Sequence, residues 1–376
     1  MKDHEPMKAV GPMKAVGPMA RIARFFDRVG DRVKRSPAAP LYPLVEAVNA
    51  AMFSPDENTT QAPFVRDALS TKRFVIPVVM ALFPVLALAT WFYGLKVPVM
   101  LLVAYATGAV VESIFAWTRN EHIHEGFLVT GILMVMIFPV TTPLWVFVIA
   151  TVFGIVFGKE VFGGVGQNPV NPALVGRMFV FLSWPALVAP SAYPEPVYRL
   201  TTWFSSAADA VTSATPLAML KLGEVPPDAS MVNLLWQLKP GCIGEISSLL
   251  LILGGLYLVF VRVVNFRIPL GMIAGSVAGA ALVAVFRPMP DLMTQWLSGG
   301  FLLGMFFMAT DPVTIPTTRT GKWIAGGLCG FLVVMIRQFT PLVEGVMFAI
   351  VLMNLSSPLI DEGILALRLR RESRHE

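Results

Sequence analysis

The chain has 376 residues, of which 55% are hydrophobic and only 14% charged, and its mean hydropathy is +0.68. Soluble domains carry about 25% charged residues, so this composition excludes an ordinary soluble enzyme and indicates a polytopic membrane protein. Two cysteines, Cys242 and Cys329, are too few for a four-cysteine cluster or a zinc site, and the net charge of +5 gathers at both ends with no sign of nucleic-acid binding.

At the start, Met7–Pro12 repeats as Met13–Pro18, and residues 1–20 are expected to be a disordered extension, since no apolar stretch follows that would make a signal peptide. Next, Ile22, Phe25, Phe26, Val29 and Val33 recur at helical spacing among Arg21, Arg24, Arg28, Arg32 and Lys34. That pattern reads as a basic amphipathic helix, either on the cytoplasmic leaflet or against a partner. Residues 1–73 thus form a cytoplasmic N-terminal region.

Apolar runs predict spans at 74–93, 97–118, 126–138, 143–159 and 171–188, the first repeat (74–188). A second set lies at 246–264, 268–286, 299–310, 323–339 and 342–360, the second repeat (246–360), followed by a basic tail over 361–376. A full crossing takes ~20 apolar residues. The third and eighth runs are shorter, and each ends at a proline-rich stretch.

These two short runs resemble one another. Gly126-Phe127-Leu128 through Pro139-Val140-Thr141-Thr142-Pro143 matches Gly300-Phe301-Leu302 through Pro312-Val313-Thr314-Ile315-Pro316. Pro172 to Phe179 likewise faces Pro341 to Phe348, and Val97-Pro98 faces Ile268-Pro269, at an offset of about 170 residues. The fold class is therefore all-α: about ten transmembrane helices in a 5+5 inverted repeat, with paired half-helices that commonly place a site at mid-membrane. Lys72, Arg73, Arg119, Lys159, Arg262, Arg267, Arg319 and Lys322 put one side, with both termini, in the cytoplasm, although Lys96, Arg199, Lys221, Lys239, Arg287 and Arg337 fall outside.

The long connection over 189–245 then lies outside the membrane. Within it, Asp209, Thr212, Ser213, Ala214 and Thr215 resemble the acceptor motif D-x-x-[ST]-[SG]-A-T, in which a flavin transferase attaches FMN through its phosphate to the final threonine. Small neighbours leave the Thr215 hydroxyl approachable, and Asp209 and Thr212 suit recognition by the transferase.

From residue 21 onward the chain resembles the B subunit of the Na+-translocating NADH:quinone oxidoreductase, and its paralogue, the D subunit of the Rnf complex. The resemblance rests on His124-Glu125-Gly126-Phe127-Leu128-Val129-Thr130, Lys159-Glu160-Val161-Phe162-Gly163-Gly164, Asn171-Pro172-Ala173-Leu174-Val175-Gly176-Arg177 and Met305 through Val313. The amphipathic N-terminal region and Glu125-Gly126-Phe127 favour the quinone-reducing relative. One departure is the short outer connection Gly94–Val97, where better-known members insert a long segment.

The resemblance implies a bacterial inner-membrane translocase component working with the A, C, D, E and F subunits of that complex. It implies covalent FMN at Thr215, a non-covalent riboflavin nearer the cytoplasm, ubiquinone as acceptor and Na+ driven outward. Asn168 and Asn171, in a glycine-rich segment, match the family's riboflavin region, and their amides suit the donor and acceptor edge of an isoalloxazine ring. Asp311, in the repeat-related half-helix, is expected to border the same cavity. Gly108 and Ala109 correspond to a small-residue pair near the quinone-inhibitor site. Glu112, inside the second span, is costly there unless paired, protonated or wet, and the family suggests a role in Na+ handling; a helix-packing role is the alternative. Glu344 and Asp361 are read as snorkelling or capping groups. No metal ligand set and no NADH-binding fingerprint are present, so the chain is not expected to act alone. Two other functions fit parts of the pattern: an Rnf-type flavoprotein moving electrons between ferredoxin and NAD, and a redox-inactive channel or transporter of similar fold.

Overall fold

The computed structural model describes residues 71–119, 126–188, 193, 216–222, 231–236, 238–287 and 291–373. The chain forms two compact units, residues 1–68 with 113–123, and residues 69–112 with 124–376. Of the first unit only Ser113–Arg119 is described. There the Arg119 guanidinium lies 5.2 Å from the centre of the Phe115 ring. The helix expected over 21–34 lies outside the described residues. The remaining described residues belong to the second unit.

Every described element is helical. Helix α1 is Thr71–Tyr93, α2 Lys96–Arg119, α3 Phe127–Ile137, α4 Leu144–Gly158 and α5 Pro172–Ser183. Short helices α6 (Pro216–Leu222) and α7 (Met231–Trp236) follow in the long connection, then α8 (Ser248–Phe260), α9 (Arg267–Phe286) and α10 (Leu292–Leu297). Helix α11 (Phe301–Leu303) continues into a π-helical turn, Gly304–Met308, before α12 (Arg319–Phe339) and α13 (Val346–Glu372). Among the described residues, six helical segments are long and apolar enough to cross a membrane: α1, α2, α4 with the 3-10 turn that extends it to Phe162, α9, α12 and α13. Helices α3, α5 and α8 are apolar but shorter.

Helix falls within each predicted apolar run, with informative shifts at the ends. Helix α5 stops at Ser183 rather than 188, because Pro185 begins a separate 3-10 turn. Helix α12 starts at Arg319 instead of 323, where the Thr318 hydroxyl accepts the Gly321 N–H and caps it. Helix α13 runs on to Glu372, through the stretch read as a separate tail. Pro77 and Pro84 sit inside α1 and Pro358 inside α13, as apolar spanning helices tolerate when neighbours satisfy the backbone. Between α1 and α2, Gly94 adopts φ +86° and donates to Thr90 O at 2.9 Å. This left-handed C-cap makes a connection as short as the sequence suggested.

The two half-helices explain where a site can form. Helix α3 spans only about 16 Å at 1.5 Å per residue, half of a ~30 Å hydrocarbon core. Its residues Gly131–Ile137 are all buried, as are Phe301–Met308 of the second half-helix. Protein therefore surrounds the exposed helix ends, as broken helices at membrane depth require.

Corresponding helices pack alike in the two halves: α1 on α3 and α8 on α11, α4 on α5 and α12 on α13. Helices α1 and α8 meet each other, with Gly254 against Ala81. Glycines bring backbones together elsewhere. A Cβ on Gly275 of α9 would sit 1.8 Å from Gly327 O of α12, and one on Gly330 would sit 1.9 Å from Met272 O. Between α4 and α5, a Cβ on Gly154 or Gly176 would come within 2.4 Å of a facing carbonyl. Small residues four apart serve here as the contact surface between apolar helices.

Candidate functional site

Where the ends of several helices converge, the second unit encloses a cavity of ≈ 260 Å³. Its wall is built from α1 (Phe74, Val75, Val78) and the start of α3 (Val129, Thr130, Leu133), the segment after α4 (Lys159, Val165, Asn168, Asn171), the end of α8 and the turn after it (Leu258, Val263, Val264), Phe306 and Phe307 of the π turn, and Thr310 to Val313 after it. Both halves of the chain contribute. The volume lies just below the ~300–1,000 Å³ usual for small-molecule sites, and the wall is mostly apolar with a few polar groups, as such sites are.

Asn168, Asn171 and Asp311, three residues singled out from the sequence, all line this one cavity. Asn171 is the N-cap of α5: its Oδ1 accepts the Ala173 N–H at 3.0 Å, and Pro172 occupies the first helical position. Using the oxygen leaves the amide N–H₂ as a donor. Asn168 makes the opposite choice, its Nδ2 donating to Val170 O at 3.4 Å, which leaves Oδ1 as an acceptor. Asp311 accepts the Val313 N–H through Oδ1 at 3.1 Å. Among the described residues no group takes Asn171 Nδ2, Asn168 Oδ1 or Asp311 Oδ2.

Lys159 is the one cation in the wall among the described residues, and its part here was not legible from the sequence, which placed it among flanking basic groups. It is 2% exposed. Its ammonium bonds Glu112 Oε1 and lies 3.5 Å from Glu160 Oε1. Glu112 is therefore paired, which meets one of the conditions for keeping a carboxylate inside a span. Gly108 and Ala109 are buried one turn earlier, and a Cβ on Gly108 would come 3.1 Å from Ile155 Cδ1. Gly108 and Glu112 on α2 thus face Ile155 of α4 and Lys159 just after it, four residues apart on both sides. One seam packs by shape and then by charge.

A second polar cluster lies away from the cavity. Arg177 of α5 donates to Cys242 Sγ at 2.8 Å, to Tyr193 OH at 3.2 Å and to Glu344 Oε2 at 2.5 Å. The Tyr193 hydroxyl also donates to Glu344 Oε1 at 2.8 Å. Ligand atoms of Cys242, Glu245 and Glu344 lie within 4.8 Å of one another. The Arg177 guanidinium bonds two of those three residues, so positive charge is already supplied where a metal ion would sit. Cys242 and Cys329 are both free and buried. Glu344 is thus an ion-pair partner rather than a snorkelling group. Asp361 accepts the backbone N–H and the hydroxyl of both Thr317 and Thr318, and so anchors the turn that opens α12. The motif Asp209, Thr212, Ser213, Ala214 and Thr215 lies outside the described residues, and α6 begins at the next residue, Pro216.

Residues 58–367 match the sequence model of the NQR2, RnfD, RnfE family. The chain is similar to the B subunit of the Na(+)-translocating NADH-quinone reductase of Haemophilus influenzae, at 32% identity over 398 aligned residues, covering 88% of this chain and 93% of that one. It is similar to the proteins of the same name from Klebsiella pneumoniae, at 34% over 396 residues, and Ectopseudomonas mendocina, at 32% over 388, with the same coverage.

Proposed function

The chain belongs to the NQR2, RnfD, RnfE family, and from that premise we propose that it is a flavin-carrying membrane component of a Na+-translocating NADH:ubiquinone oxidoreductase. The names of the relatives, matched over most of their length, favour this reading over the Rnf-type one. In it the chain crosses a bacterial inner membrane about ten times as an inverted 5+5 repeat, with both termini cytoplasmic. The outer loop then presents Thr215 for a phosphoester bond to FMN, made by a flavin transferase. The A, C, D, E and F subunits supply the other redox centres, and ubiquinone takes the electrons near Gly108 and Ala109. Glu112 belongs to the Na+ path.

The observation that carries the proposal is the convergence of Asn168, Asn171 and Asp311 on one apolar cavity, where the Asn171 amide nitrogen and the Asn168 amide oxygen make no other bond among the described residues. An imide-like ring edge needs such a pair, so the cavity fits the flat heterocycle of a non-covalent riboflavin. Bound there, riboflavin would supply a carrier able to take electrons singly. The chain's own part is to hold the ring edge through Asn171 Nδ2 and Asn168 Oδ1. The valines, leucines and phenylalanines of the wall exclude water, and Lys159 sets the local charge.

The test counts flavins in the purified complex. Val129→Trp places an indole in the cavity and is expected to remove the acid-extractable flavin while the covalent one remains. Thr215→Ala is expected to do the reverse, with an FMN mass increment lost from the Thr215 peptide. A complex that keeps its extractable flavin in Val129→Trp sinks the cavity assignment. A colourless chain after correct maturation sinks the electron-carrier reading and favours a channel.

A further inference from the structure

Helix α6 begins at Pro216, one peptide bond beyond Thr215, which keeps their Cα atoms within about 4 Å of each other. Seven residues make a helix of only ~10 Å, too short to persist in water by itself. Its place is set by two side chains one turn apart. Leu217 is buried, its Cδ2 3.1 Å from where a Cβ on Gly299 would lie, and Gly299 takes φ +67° in the turn between α10 and α11. Lys221 donates from its ammonium to Thr340 O at 2.7 Å and to Leu342 O. Thr340 is the C-cap of α12, where the last carbonyls lack helical partners and the dipole favours a cation. Arg337, in the last turn of α12, closes the same corner. It donates to Gln295 O and Ser298 O, and its Nη2 lies 3.2 Å from the same point above Gly299. Three elements, α6, α10 and α12, thus meet at one glycine.

We propose that Leu217 and Lys221 are positioning residues for the covalent flavin: they clamp α6 to the α10–α11 turn and to the end of α12, and so fix the point from which the isoalloxazine hangs. The inference rests on the reading of Thr215 as the FMN acceptor, and adds which residues set that flavin's place. Electron transfer between carriers falls steeply with distance, and a misplacement of about 1 Å can cost on the order of 100-fold in rate. Lys221 takes no part in the transfer itself. An electron enters the flavin from an upstream carrier of the complex and leaves for the next, with no bond or proton passing through the lysine. Because the Lys221 side chain is exposed, removing its charge strands nothing buried, and the chain folds as before.

The experiment is stopped-flow reduction of the assembled complex by NADH, following the absorbance phase that Thr215→Ala removes and Val129→Trp keeps. Peptide mass first checks that each variant carries FMN on Thr215. Lys221→Met keeps the stem and removes the donor, and the phase is expected to slow by about tenfold. Lys221→Arg keeps donors for both carbonyls and is expected to restore the wild-type rate. Leu217→Ala with Lys221→Met opens both ends of the clamp and is expected to be slower still. Dithionite diffuses to the flavin and needs no fixed partner, so it is expected to reduce that flavin equally fast in every variant, at an unchanged midpoint potential.

A Lys221→Met phase as fast as wild type overturns the proposal, as does a Lys221→Arg phase as slow as that of Lys221→Met. Slower reduction by dithionite, or a Lys221→Met peptide without FMN, overturns it too, because the lysine would then shape the flavin's surroundings or serve its attachment. Failure of the acceptor reading is seen separately, as a wild-type Thr215 peptide without the FMN increment.

Discussion

Two buried ion pairs sit in the same unit and are built on opposite plans. Arg177 and Glu344 come from different halves of the chain, 167 residues apart, and their network is closed to the cavity, with Tyr193 and Cys242 taking further bonds and Arg177 Nε left without a partner among the described residues. Lys159 and Glu112 come from the same half, 47 residues apart, and their network is open on one side, towards a cavity. Chemistry follows the difference. A guanidinium is a planar fork that holds several acceptors at fixed angles, whereas an ammonium is a point charge on a flexible stem. The closed pair is a fastener between halves, and the open pair borders the cavity.

The largest effect should come from breaking the fastener. Arg177→Met leaves Glu344 without its cation and strips a donor from Tyr193 and Cys242; a loss of about 3–5 kcal/mol is expected, read as thermal unfolding of the detergent-solubilised complex. Arg177→Lys should not rescue it, because an ammonium cannot reproduce the fork.

Glu344→Gln keeps an acceptor for both Arg177 and Tyr193, so a smaller loss of roughly 1–2 kcal/mol is expected in the same assay. If the two losses come out equal, the network does not act as a closed unit.

At the open pair, replacing both charges by Glu112→Gln with Lys159→Gln should change stability by no more than about 1 kcal/mol, since neutral replacement of a buried pair is often harmless. A large loss there would mean that this pair is a fastener as well, and the contrast would be lost.

Much of this architecture was legible because it is written in local signals. Spans follow from apolar runs, and their ends follow from prolines and caps such as Asn171-Pro172 and Thr318. The half-helices showed as two short runs with a shared P-V-T-x-P. Asn168, Asn171 and Asp311 could be placed together because the duplicated pattern puts both half-helix ends near one point.

What escaped reading depends on long-range pairing. Lys159 follows an apolar helix, where a flanking basic residue is expected, and only its bond across to Glu112 of α2 shows that it turns inward. Arg337 was read as an outer flanking group, yet it is 4% exposed and donates to Gln295 O and Ser298 O. A signal for the α9–α12 seam did exist: Gly271, Gly275 and Gly279 recur every fourth residue, as do Gly326 and Gly330. Small residues at that interval announce a helix contact.

The π turn at Gly304–Met308 holds one residue more than an α-helical turn would. Relaxing it to α geometry would advance the register by a single position and rotate everything downstream by about 100°. Asp311 would swing out of the wall, and its acid would face a different neighbour. Gly304 lies against Val346 and Ile350 with no room for a side chain, so α13 packs directly on the turn that holds this spare residue.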